Sequence, residues 1–389
     1  MTVDFDTPIE RTGTACLKVD GAAARFGQSD LLPLWVADMD FPAPAAVTQA
    51  LIERARHPVY GYTLYPDSLY EALLDWLETR HHWAVPREWL LLAPGVVPSL
   101  HAAALALTEP GEGIVIQPPV YGPFRGAVTE TGRRLMENPL RFDGQRYRID
   151  YEHLEHCARQ GARLLFLCSP HNPVGRVWQA DELTELMRIV ERYDMRVLSD
   201  EIHHDLIYPG HRHIPLGAQA EDPTRVITAL APSKSFNVPG LGLSALIVPE
   251  ARQRDALQRV FRQMVLGQAN PFSVVAFEAA YRNGADWLDA LRNYLAGNRD
   301  RVRAMLAGQG GALRLIEPEG TYLLWLDARA LAMDDAALAG FFTHKARVGL
   351  NAGIEYGQGG QGFMRLNIAT PRARLEQALG RILTALHTL

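Results

Sequence analysis

Six short apolar runs, each ending in small or polar residues, constrain this chain more than any other feature. They are EWLLLAPG (88–95), GIVIQPP (113–119), ARLLFLCSP (162–170), MRVLSD (195–200), RVITALAPS (225–233) and LSALIVPE (243–250). A strand with one wet face alternates polar and apolar residues; a strand covered on both faces has no reason to. The runs therefore predict buried strands of a largely parallel sheet. Helical patterns lie between them. SLHAAALALTEPGEG predicts a helix closed by Pro and Gly, and ADELTELMRIVERYD places Leu183, Leu186, Met187 and Val190 on one helical face. Alternating strand and helix means an α/β fold with right-handed crossovers. A large domain is expected over residues 50–290. The remainder, 291–389, mixes strands and amphipathic helices; with the loop-rich segment 1–49 it is expected to form a smaller α+β domain. A long helix near 276–308 is expected to join the two.

In an open parallel sheet, ligands bind beyond the carboxyl ends of the strands. Those ends carry Val96 and Val97, Tyr121, Asn172, Asp200 with His203, and Ser233 with Lys234. Lys234 stands out because 36 of the 39 basic residues are Arg; Lys18 and Lys345 are the only other lysines. A lysine in a partly desolvated pocket has a depressed pKa and can bond an aldehyde through its free amine. Asp200 suits a carboxylate that keeps a pyridine nitrogen protonated, and equally an N-cap. Asn172, in the turn-rich SPHNPVG, suits an amide donor to a ring hydroxyl or a substrate carboxylate, and also an ordinary turn residue. Tyr121 suits ring stacking or plain packing. APGVVPS leads into a helix whose first N–H groups, at Val96 and Val97, would point at a phosphate. Arg365, alone in the apolar GFMRLNIA, needs a partner, either a substrate carboxylate or an internal acid.

Two other patterns are set aside. GLGLSA (240–245) fits a dinucleotide-binding pattern, but that pattern needs a helix after it and a strand-like run follows here. His203, His204, His211 and His213 cluster in sequence without metal-site spacing, and HExxH is missing, so no metal is expected. The formal charge of −5 gives no general attraction to nucleic acid or anionic lipid. No apolar run reaches the length of a membrane span. The acidic N-terminus has no signal-peptide core, and three scattered cysteines make no disulfide framework, so a reducing cytoplasm is expected.

In this order and spacing, SPHNPVGRVW, SDEIHHDLIY, APSKSFNVPGLG and MRLNIATPR resemble the fold-type I pyridoxal-phosphate enzymes of the class I/II aminotransferase family. LPLWVADMDFPAP, HPVYGYT and DEIHHD narrow the resemblance to the MalY/PatB-type cystathionine β-lyase (C–S lyase) branch. The resemblance implies a PLP-dependent transferase-like fold with a seven-stranded-type sheet and pyridoxal 5′-phosphate as cofactor. It implies that Lys234 bonds the cofactor, Asp200 partners its ring nitrogen, Asn172 its ring hydroxyl and Tyr121 stacks on it, with His203 nearby. Val96, Val97 and Ser233 would hold the phosphate, joined by Tyr62 from the other subunit of a homodimer. Arg365 would bind the substrate carboxylate. Two departures stand out, because Ala231 and Gly242 occupy positions where the wider family has Ser and Arg. The expected reaction is β-elimination from an L-cysteine S-conjugate to a thiol, pyruvate and ammonia. The rivals are transamination on the same fold and a non-catalytic cofactor-binding regulator.

Overall fold

The computed structural model describes residues 3–267, 269–308 and 311–389. Seven strands form the large sheet: β1 (Leu90–Ala93), β2 (Gly113–Ile116), β3 (Arg134–Glu137), β4 (Ala162–Cys168), β5 (Arg196–Asp200), β6 (Val226–Leu230) and β7 (Ser244–Ile247). Their spatial order is β1-β7-β6-β5-β4-β2-β3. Neighbours from β6 to β3 run parallel, while β7 is antiparallel to both β6 and β1. The apolar runs are continuous because both faces are covered. Along β4 and β5, Leu164, Phe166 and Leu198 enter one apolar cluster, and Leu165, Leu167 and Val197 enter the cluster on the opposite face. Strand β3 (RLME) was not among the six runs. It is an edge strand, mostly half-buried or exposed, and needs no apolar signature.

The helices used below are α1 (Asp67–His81), α2 (Val96–Leu107), α3 (Ala180–Arg192), α4 (Ala251–Gln263), α5 (Pro271–Asn283), α6 (Ala285–Ala307) and α7 (Arg372–Leu386). In α3, Leu183, Leu186, Met187 and Val190 are all buried, and Gln179 with Glu182 closes its start as a capping box. α2 and α4 cover the face opposite to α3. The long helix expected near 276–308 is two helices, broken at Gly284. A Cβ there would stand 2.3 Å from Phe236 Cε1, so only glycine permits this close approach.

A second, antiparallel sheet holds β8 (Arg314–Ile316), β9 (Leu323–Asp327), β10 (Asn351–Ala352) and β11 (Phe363–Asn367), in the order β8-β9-β11-β10. The apolar faces of α6 and α7 pack with it in one cluster that also takes in Leu34, Met39 and Phe41. The segment at Leu32–Pro33 pairs in parallel with Val348–Gly349. That cluster continues to Leu92, Leu230 and Ile247 of the large sheet, so no polar seam separates the two sheets. Among the described residues, no helix is long and apolar enough to cross a membrane.

Candidate active site

A cavity of about 250 Å³ opens at the carboxyl ends of β1, β4, β5 and β6. Most of its walls come from strand ends, joined by Ala37 and by Pro239, Gly242 and Leu243 ahead of β7. β1 leads through Gly95 into α2, so Val96 and Val97 present the first turn of a 12-residue helix. The first N–H groups of a helix have no intrahelical acceptor, which makes this wall receptive to an anion. Tyr121 comes from the loop after β2, Asn172 from the turn after β4, and Asp200 with His203 from the end of β5. Ser233 and Lys234 come from the single turn after β6. The GLGLSA stretch ends in β7 rather than a helix, and its Gly242 lies against Pro94, where a Cβ would stand 3.2 Å from the carbonyl oxygen.

Lys234 Nζ donates to the carbonyl oxygen of Ala37 at 2.6 Å and to no carboxylate among the described residues. Burial pushes its pKa down from 10.5 to about 8, and the nearby Arg365 guanidinium adds to the effect. Lysine scarcity alone does not single it out, because Lys18 is buried as well. Lys18, however, pairs with Asp40 at 2.9 Å and Asp38 at 3.4 Å. Both donate to a backbone carbonyl, but among the described residues Lys234 has no carboxylate partner.

Asp200 is the opposite case. Its carboxyl accepts one backbone N–H, from Ile202 at 3.1 Å, and burial pushes its pKa up to about 7. His203 is buried, sits edge-on to Tyr322 with ring centroids 5.9 Å apart, and has no partner for Nδ1. Burial drives its pKa well below the ordinary value.

Arg365 does not line the cavity. It stands behind Asn172, donating from Nη1 to Asn172 Oδ1 at 3.2 Å, and from Nη2 to Asn351 Oδ1 at 3.0 Å and the Trp35 carbonyl at 2.7 Å. Its Nε has no partner, and no acid pairs with it among the described residues. The internal salt bridge is therefore ruled out, and a buried guanidinium keeps its charge uncompensated one residue from the cavity. Tyr62 is 95% exposed on the loop before α1 and is not brought to its own chain's cavity.

Three features escaped the sequence. Ala37, from LPLWVADMDF, contributes only a carbonyl, which has no side-chain signature. Tyr322 donates to that same carbonyl at 2.9 Å, beside Lys234; a tyrosine inside an apolar run (TYLLWL) was the available signal, since a buried hydroxyl needs a partner. Asn351 orients Arg365 from the short edge strand β10.

The site has what an aromatic aldehyde carrying a phosphate requires. Lys234 supplies an amine of lowered pKa, Asp200 a buried carboxyl lacking a side-chain partner, Tyr121 a ring on one wall, and α2 an open N-terminus. The sequence profile of the aminotransferase class I and II family matches residues 29–382. The chain belongs to this family. Among its relatives, the cystathionine beta-lyase PatB of Bacillus subtilis is 41% identical, over 99% of this chain and 100% of that protein. The protein MalY of Escherichia coli is 35% identical over 99% of both chains. The crystal structure of cystalysin from Treponema denticola, which contains a pyridoxal 5′-phosphate cofactor, superposes with a TM-score of 0.96. It is 34% identical, over 100% of each chain. Family membership accounts for the strand order and for a cavity at the strand ends.

Proposed function

We propose that this chain is a pyridoxal-phosphate-dependent carbon–sulfur β-lyase acting on L-cystathionine or a related L-cysteine S-conjugate. The observation that carries the reading is end-to-end identity to a protein named as a cystathionine beta-lyase, together with a cavity that gathers a lysine of lowered pKa and a buried aspartate. When bound, pyridoxal phosphate supplies an electron sink conjugated to the substrate Cα.

The chain's own residues do the rest. Lys234 would hold the cofactor covalently, and its amine would take the proton from the substrate Cα. Asp200 would partner the ring nitrogen, and its carboxylate would keep that nitrogen protonated. Tyr121 would stack on the ring and Asn172 would hold the ring hydroxyl, with His203 nearby. The N–H groups at Val96 and Val97 and the Ser233 hydroxyl grip the phosphate. With Ala231 and Gly242 in place of the wider family's Ser and Arg, backbone N–H groups carry more of that grip. Arg365 draws the substrate carboxylate towards Asn172. The sulfur then leaves from Cβ as a thiol, and water completes the products pyruvate and ammonia. The division into a 50–290 domain and a domain of 1–49 with 291–389 belongs to this reading, with the cavity built mainly on the former.

Incubating the purified holoenzyme with L-cystathionine tests it. Equimolar pyruvate and thiol are expected. Transfer of the amine to a 2-oxo acid without pyruvate release would make it an aminotransferase instead.

The homodimer belongs to the same proposal. Val59, Tyr60, Tyr62 and Leu64 form an exposed apolar loop, bridged through Thr63 and Ala269 to a segment that exposes Met264 and Val265. Contiguous apolar surface of this kind is normally covered. A second copy covers it in our reading, with Tyr62 reaching the partner's phosphate. Sedimentation is expected to give a dimer, and Tyr62→Phe to weaken cofactor retention about tenfold, as loss of a hydrogen bond to a charged group does. A monomer with full activity contradicts both points.

A further inference from the structure

Behind Lys234, outside the cavity, two imidazoles and a carboxylate converge. His204 and Asp205 follow β5, and His81 is the last residue of α1, 124 positions from Asp205. One ligand atom of each lies within 4.8 Å of the other two. His81 Nε2 donates to Asp205 Oδ1 at 2.9 Å, a proton that a metal ion displaces on binding, and His204 Nε2 stands 3.3 Å from Asp205 Oδ2. Around a tetrahedral zinc ion, with metal–ligand bonds of about 2.0–2.1 Å, ligand atoms sit roughly 3.3 Å apart.

The groups are held from behind. His204 Nδ1 lies 2.7 Å from the Glu201 carbonyl oxygen. A carbonyl only accepts, so Nδ1 carries a proton and Nε2 is the atom turned to the cluster. Asp205 accepts from Trp76 Nε1 at 3.1 Å and from Ser235 Oγ at 2.6 Å. Metal-binding imidazoles and carboxylates are oriented by outer partners of this sort.

A second observation points to a ligand. His204 is 2% exposed, and its Nε2 has no hydrogen-bond partner. It faces a carboxylate oxygen across 3.3 Å without bonding to it. His213, buried too, leaves Nδ1 unpartnered while its Nε2 meets Glu201 at 2.7 Å; its ring centroid lies 5.9 Å from that of His81 and 6.1 Å from that of His204. A cavity of about 110 Å³ reaches the cluster. Three guanidiniums line it: Arg80 and Arg292 turn to Asp289, Arg292 also to the Ile207 carbonyl, and Arg212 stands at the exposed rim. Sequence spacing hides this grouping, because α1 supplies one of the three ligands.

We propose that His81, His204 and Asp205 bind a divalent transition-metal ion of the zinc class, with a fourth position open to the cavity. Two imidazoles and one carboxylate suit zinc rather than magnesium or calcium, which take oxygen ligands. The ion ties the end of α1 to the segment after β5. Through Asp205 and Ser235 it also braces the turn that carries Lys234.

The test uses the full chain, loaded with pyridoxal phosphate and free of any histidine tag. After chelation and dialysis, Zn²⁺ titration followed by elemental analysis is expected to leave one ion per chain. Co²⁺ in its place is expected to give the intense visible bands of a four-coordinate site. His204→Gln and Asp205→Asn should each weaken Zn²⁺ binding at least tenfold, while His387→Ala, exposed just past α7 and away from this cavity, should leave it unchanged. Uptake below a tenth of an equivalent overturns the proposal, and so does unchanged binding in His204→Gln. If these variants do not fold, the wild-type Co²⁺ spectrum decides, and weak bands of a six-coordinate aquo ion refute the site. Pyruvate release is not part of the readout, so the lyase reading stands or falls separately.

Discussion

Lys234→Ala is expected to fold and to release pyruvate from L-cystathionine about 10³-fold more slowly than the wild type. A positioned base contributes about 10²–10⁴-fold in typical enzymes, and no other amine reaches this cavity among the described residues. The other two lysines do not line it, and Lys18 is committed to Asp38 and Asp40. Stability should move the other way. Between pH 8 and 10.5 the unfolded chain binds a proton at this lysine that the folded chain does not, so the cofactor-free protein gains stability as pH rises through that window. Below pH 8 the fold carries an ammonium whose acceptor is the Ala37 carbonyl. The cost corresponds to up to about 3 kcal/mol, less whatever solvent still reaches the amine. Lys234→Met keeps most of the volume and removes the charge, so at pH 7 the cofactor-free variant should unfold at higher denaturant than the wild type. Wild-type-like turnover in Lys234→Ala would remove the lysine from the mechanism. A less stable Lys234→Met would show that the Ala37 contact outweighs desolvation.

Much of the large sheet was legible because burial on both faces writes itself into sequence as unbroken apolar runs. Strand β3 escaped because an edge strand is free to carry Arg134 and Glu137 at its ends. The need for glycine at 284 escaped because the ring of Phe236 that crowds it is nearly 50 positions away. The same distinction governs the site. Strand ends could be read, so Asp200, Ser233 and Lys234 were singled out by position. What surrounds them could not. The Ala37 carbonyl that holds Lys234 is backbone, and Asn351 meets Arg365 only through the antiparallel pairing of β10 with β11. Read alone, Arg365 fitted an internal acid as well as a substrate. Its neutral partners Asn172, Asn351 and Trp35 separate the two, because a buried guanidinium that meets only amides and carbonyls still has a full charge to offer.

Asp200→Asn is expected to lower kcat about 10³-fold, with KM for L-cystathionine changed far less. The substitution keeps the shape of the side chain and the single hydrogen bond from Ile202 while removing the negative charge. Without that charge a bound cofactor's ring nitrogen would not stay protonated, and it would serve less well as the electron sink for the proton removal by Lys234. Removing one preorganised electrostatic partner in a dry site costs about 10²–10³-fold in kcat, and here the partner faces the whole electron sink. The cofactor-free protein reports on Asp200 independently of turnover. Burial raises its pKa from 3.8 to about 7, so between those values the folded chain holds a proton that the unfolded chain has lost. Wild-type stability should therefore fall as pH rises from 4 to 7, by up to about 4 kcal/mol from this group, and level off above 7. Asp200→Asn should lack that decline and be the more stable protein at pH 8. Urea titrations of both proteins at pH 5 and pH 8 measure the difference directly. Turnover within tenfold of wild type would refute the electrostatic role. A stability difference that does not change between the two pH values would show that Asp200 is ionised throughout, with the nearby Lys234 ammonium outweighing its burial.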